Sequence, residues 1–185
     1  MPFYVIGFPC VKGCVYGLLF WLPTYLDNKG LAHEKGYIAS MIDLGSFVGG
    51  LIVGYLGDLY SYRALFLTPL LVISAAMMFI VSFALTDVAW TYYAALLFIG
   101  LMMGGPYNII GSAIVIDLGE QAGKKNIAKV SALIEGSAAV FAAVSQIIIS
   151  FMPFESIFYL FSGECLLAAL VLLPLFLKDL KAFRS

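Results

Sequence analysis

Six long apolar runs follow one another in this chain with short polar connections between them, and that succession constrains the fold more than any other feature. A helix needs about 20 apolar residues to cross the hydrocarbon of a bilayer, since each residue adds about 1.5 Å. Runs of that length occupy roughly 3–26, 36–57, 64–85, 89–116, 127–151 and 155–177. Lipid offers backbone polar groups no partners, so each run is expected to satisfy its own as a helix. Composition agrees: 63% of the residues are hydrophobic and 11% charged, against about half and about a quarter in soluble domains. The expected fold is an all-α integral membrane bundle of six helices over residues 1–185, with 178–185 as a tail. The fourth run is long enough to tilt or to continue as helix beyond the membrane.

Placement of Lys and Arg sets the orientation. The connection at 58–63, the connection at 117–126 with its continuation to Lys129, and the tail fall on one side. They carry Arg63, Lys124, Lys125, Lys129, Lys178, Lys181 and Arg184, while the other side has only Lys29 and Lys35. The basic side, with both termini, is expected to be cytosolic. The start lacks a basic segment ahead of its apolar run, so it does not read as a cleaved signal peptide.

Charges inside the runs are few. Lys12 is the only charged residue between Met1 and Leu26, and the second, fifth and sixth runs contain Asp43, Glu135 and Glu164. An ionisable group at that depth costs several kcal/mol (about 3 on insertion scales) unless it faces a cavity or a partner. Runs one, two, four and five are therefore expected to surround a cavity, with the uncharged third outside it. Counting from the run ends, Lys12 lies roughly 13 Å deep and Glu135 about 12 Å from the same side. Asp43 lies about 10 Å from the opposite side. A Lys12–Glu135 pair is the first expectation, with Asp43 and Glu135 as cavity or coupling groups. Glu164 is expected to be structural, and His33 a solvated loop residue.

Small residues mark close helix contacts. Gly13/Gly17, Gly45/Gly49, Gly50/Gly54 and Gly100/Gly104 each stand four apart, a spacing that lets backbones approach where no hydrophobic force joins helices. Gly104-Gly105-Pro106 interrupts helical hydrogen bonding in the fourth run, as expected of a cavity-lining kink. Cys10 and Cys14 share a helical face without a His or further Cys nearby in the chain, and read as packing groups. No metal, cofactor, nucleotide loop or catalytic triad is expected, and no nucleic-acid partner.

Two sets of residues resemble known families. Gly54-Tyr-Leu-Gly-Asp58-Leu-Tyr-Ser61-Tyr-Arg63 is similar to the cytosolic gate motif of the major facilitator superfamily, retaining Gly54, Asp58 and Arg63. Leu59 and Ser61 stand where a basic residue and a glycine are common, which implies a weaker gate. Lys12-Gly-Cys-Val-Tyr16 through Tyr25, Ile42-Asp43-Leu-Gly45, and Gly105-Pro106-Tyr107 followed by Asp117 to Gln121 resemble, in order, helices seven, eight and ten of the sugar-phosphate exchangers. That resemblance implies organophosphate:phosphate antiport by alternating access, with Lys12 supplying half of a two-cation grip on phosphate. Tyr16, Tyr107 and Asn108 would donate hydrogen bonds to the substrate. It also implies twelve helices in two halves, so this chain reads as the C-terminal half. The N-terminal six-helix half is the expected missing partner, either because the chain is a fragment or because six-helix units pair. The lipid bilayer, a phosphorylated small molecule and phosphate are the other expected partners, and an endoplasmic reticulum membrane is the implied location. A facilitator of another small anion and a non-transporting membrane scaffold remain the alternatives.

Overall fold

The computed structural model describes residues 2–60, 63–84, 89–121, 123 and 126–184. Met1, Ser61, Lys124 and Lys125 lie outside the described residues, as does the side chain of Arg184. Six helices are long and apolar enough to cross a membrane. They are α1 (Pro2–Asn28), α2 (Lys35–Leu59), α3 (Arg63–Ala84), the continuous α4 and α5 (Ala89–Ile109 and Val115–Gln121, joined by a π-helical turn at Ile110–Ile114), α6 (Ile127–Ser150) and α7 (Ile157–Arg184). No strand occurs among the described residues. Several helices outrun their apolar segments because turn chemistry, rather than loss of hydrophobicity, ends them. Gly30, at φ 78°, turns the chain after α1 in a left-handed conformation that suits glycine. The eight C-terminal residues expected as a tail are largely a continuation of α7.

Helix α1 is the centre of the bundle, packing chiefly on α6 and α7. Its inward face includes Phe8, Val11, Cys14, Leu18 and Leu22, recurring every three or four residues and all buried. Behind it α3 packs on α7 and α4, presenting Leu67, Leu71, Ala75 and Met78 at the same spacing. The sulfur atoms tie this region together. Cys14 Sγ lies 3.8 Å from Cys165 Sγ, 3.7 Å from Met78 Sδ and 3.8 Å from Met103 Sδ, so α1, α3, α4 and α7 meet at polarizable atoms. Large apolar side chains such as Phe47, Tyr55, Phe79, Phe83, Val140 and Leu170 point outwards, as a bilayer-embedded bundle requires.

The tightest helix pair is α2 on α4, and glycine sets its distance. A methyl group built at Gly45 would overlap the Leu97 carbonyl, and one at Gly49 the Leu101 carbonyl. From the other side, methyls at Gly100 and Gly104 would strike the backbones of Ile42 and Ser46. Both expected pairs on this contact thus face each other across a backbone-to-backbone seam. The other two spacings divide. Gly13 and Gly17 face Phe141 of α6 and Phe161 of α7, and Gly50 faces Asn108, but nothing approaches Gly54 within 4 Å.

Candidate functional site

Pro106 has no N–H to offer the turn before it, yet the helix continues through it. Asn108 Nδ2 donates to the Gly104 carbonyl at 2.8 Å, and Ser112 Oγ donates to the Asn108 carbonyl at 2.5 Å. The ladder then widens into the π turn at Ile110–Ile114. Such turns rotate the following side chains relative to a regular helix, and they recur where a helix lines a site. Here the turn places Gly111 against α1 and α6. A methyl there would lie 3.1 Å from the Phe8 ring and 3.3 Å from Glu135 Oε1, so glycine makes the room that both side chains occupy.

Lys12 reaches into that room. Its ammonium donates to Glu135 Oε2 and forms an ion pair across α1 and α6. The Lys12 side chain is 9% exposed and that of Glu135 37%, so the carboxylate lies on the open side of the ammonium. Aromatic faces complete the surroundings. The Tyr16 ring centroid is 5.5 Å from Nζ and that of Phe8 is 6.0 Å away, within cation–π range. Phe8 also stacks on Tyr107, with centroids 6.0 Å apart and planes 28° from parallel.

Beside this cluster lies a cavity of about 260 Å³ between α1, α2 and α4. Its walls include Tyr16, Asp43, Ser46, Tyr107 and Asn108. The structure therefore gathers Tyr16, Tyr107, Asn108 and Asp43 around one space, and Tyr16 connects that space to the Lys12–Glu135 pair. Among the described residues α3 contributes none to the lining, matching its uncharged sequence, but neither does α6: the fifth run, expected to be a wall, meets the site through the Lys12–Glu135 pair instead. One of the two Asn108 amide N–H groups donates to the Gly104 carbonyl, which leaves the other N–H as a donor and Oδ1 as an acceptor. Phe8 and Gly111 were not singled out in the sequence. Phe8 stands four residues before Lys12, as Tyr16 stands four after it, so a stripe along α1 carried a signal. Gly111 carried none, because its importance arises from the register shift of the π turn.

At one end of the bundle, Asp58, Arg63, Asp117, Lys178 and Asp179 line a second cavity of about 470 Å³. Arg63 Nη1 pairs with Asp117 Oδ2 at 2.6 Å, joining the start of α3 to α5. Asp179 Oδ2 accepts a hydrogen bond from the Ala64 N–H at 3.1 Å, satisfying one of the free donors that open α3. Asp58 is exposed in the same cavity, and Gly54 stands open on α2. Arg63 is thus held by the Asp117 carboxylate. If this pair fastens the end of the bundle, Arg63→Asp is expected to lower thermal stability in detergent, and the swap Arg63→Asp with Asp117→Arg to restore it. A double variant no more stable than the single one would remove the pair from that role.

Residues 12–115 match the profile of the family described as sugar (and other) transporter. Over 179 residues, covering 92% of the chain, the sequence is 30% identical to glucose-6-phosphate exchanger SLC37A2 of Mus musculus. It is 31% identical to the Bos taurus protein of that name over the same span. Sugar phosphate exchanger 3 of Xenopus laevis is 28% identical over 95% of the chain. The chain spans 36 or 37% of the length of these relatives. No solved structure matches it significantly.

Proposed function

The chain belongs to the sugar (and other) transporter family of the major facilitator superfamily, and on that premise we propose that its bundle is one half of an organophosphate:phosphate antiporter. The observation carrying this reading is the buried Lys12 ammonium, neutralised by Glu135 and set beside an aromatic and polar cavity. A phosphate dianion meets the ammonium only by displacing or sharing the Glu135 carboxylate. The empty site then keeps its charge balanced, and the loaded site exchanges one anion for another. Tyr16 and Tyr107 offer hydroxyl donors at the cavity wall, with Asp43 polarising the side towards α2. A second six-helix unit supplies the opposing wall and cation, and rocking of the two units alternates access. The basic end carrying Arg63, Lys129, Lys178 and Lys181 faces the cytosol, together with both termini, in a membrane such as that of the endoplasmic reticulum.

The scaffold reading shares the Lys12–Glu135 pair but has no use for a cavity beside it. The test is counterflow of labelled phosphate against glucose 6-phosphate in liposomes, using the bundle assembled with its partner half. Glu135→Gln removes the competitor for Lys12, so a lower KM for phosphate with slower turnover is expected. Unchanged KM and turnover would reject displacement at this site, and absence of any anion flux from the assembled wild type would reject transport. Flux of small anions without sugar phosphate would favour the simpler facilitator.

A further inference from the structure

Glu164 has no place in the proposed exchange, and it is the acid that the bundle accommodates least readily. Its residue is 6% exposed and lies roughly 10 Å along α7 from Ile157. Ser145 of α6 donates to Oε1 at 2.6 Å, but Oε2 is buried and has no hydrogen-bond partner. No basic side chain among the described residues pairs with it. From α1 it is faced by the Cys10 and Cys14 thiols and by Gly13, where a methyl would come within 3.3 Å of Oε1. Lys12 is on another face of α1, turned towards Glu135. On α7 its ionisable neighbours are Cys165 and Tyr159, α6 presents the Ser145 hydroxyl, and α3 brings Met78 to this region.

This carboxyl is not sealed in. It lines a groove of about 360 Å³ between α6 and α7 whose other walls include Phe141, Val144, Ile148, Leu160 and Leu167. Val144, Ile148 and Leu167 are exposed, so the groove opens on an apolar outer face of the bundle. An isolated carboxylate there would face a large desolvation cost with a single hydrogen bond against it. A neutral acid would avoid most of that cost and could keep the Ser145 contact. We propose that Glu164 is a protonatable site opening to the lipid phase, holding a proton on Oε2 at neutral pH and admitting apolar, carboxyl-reactive molecules through the α6–α7 groove.

Dicyclohexylcarbodiimide tests both parts. It reacts with protonated carboxyls from the lipid side: the acid proton passes to a carbodiimide nitrogen, the carboxylate oxygen bonds to the central carbon, and the adduct rearranges to an N-acylurea without a leaving group. The bundle, assembled with its partner half, would be treated in phosphatidylcholine vesicles at pH 7 and its adducts mapped by mass spectrometry. An ordinary glutamate is protonated about once in 500 at that pH. Labelling of Glu164 is expected to exceed that of the exposed Glu34 by more than about tenfold. Glu164→Gln should eliminate that adduct without altering helical content, and Ser145→Ala should retain it. Absence of a Glu164 adduct in the folded wild type would overturn the proposal. Equal modification by a membrane-impermeant carbodiimide would do the same, because it would place the acid on the aqueous side.

Discussion

Lys12→Ala is expected to eliminate sugar-phosphate exchange and to lower the stability of the bundle as well. The two losses have separate origins. Exchange fails because this half then offers hydroxyls and the Asp43 carboxylate but no cation, leaving a phosphate group with the opposing unit's cation alone. Stability falls because Glu135 is left without its partner. Breaking a fully buried pair costs about 3–5 kcal/mol. Since the Glu135 side chain is 37% exposed, water recovers part of that, and a loss of roughly 1–3 kcal/mol is expected. Lys12→Ala combined with Glu135→Gln should recover most of the stability and none of the transport. Thermal unfolding in detergent and phosphate counterflow in liposomes would measure the two effects. Exchange that persists in the single variant would rule out Lys12 as a substrate cation. Exchange restored in the double variant would do so too.

The second large effect is expected at the α2–α4 seam. Gly49→Val and Gly100→Val each force a branched side chain into the facing backbone, at the Leu101 carbonyl and the Ile42 backbone respectively. No rotamer relieves a clash that begins at Cβ, so the helices must separate. Overpacking usually costs about 1–3 kcal/mol, and displacement of a whole helix pair is expected at or beyond the top of that range. Because Asp43 and Asn108 stand on the two separated helices, the 260 Å³ cavity would be reshaped at the same time. Gly136→Ala provides the comparison. Nothing lies within 4 Å of a methyl at that α6 position, and replacing a helical glycine there should stabilise by about 0.5–1 kcal/mol. Detergent unfolding that ranks the seam variants no lower than Gly136→Ala would show that the helices are not in backbone contact.

Several parts of the site were legible because depth in a membrane is nearly a linear coordinate. With a fixed rise per residue, the positions of Lys12 and Glu135 along their runs placed both at one level, and the structure pairs them. The same reasoning could not find the partner of Arg63. That contact depends on how far α5 extends past the membrane and which way it turns after Ile110–Ile114, and the sequence around Asp117 expresses neither. Glycine spacing was similarly informative in part. Four-residue intervals identified surfaces able to approach, but the backbone alone decided that Gly45 and Gly49 meet α4 while Gly54 meets nothing.

The sequence by itself determined six membrane-length helices, their alternating direction and the few charged residues they must shelter, because an apolar solvent allows little freedom in any of these. Tertiary structure alone decided which faces meet. It set Glu135 over Lys12, tied Asn108 to Gly104, opened room at Gly111 and left Glu164 Oε2 without a partner in an apolar groove. The physical reason is rotation: hydrophobicity fixes where a helix lies along the membrane normal, whereas side-chain packing fixes its turn about its own axis.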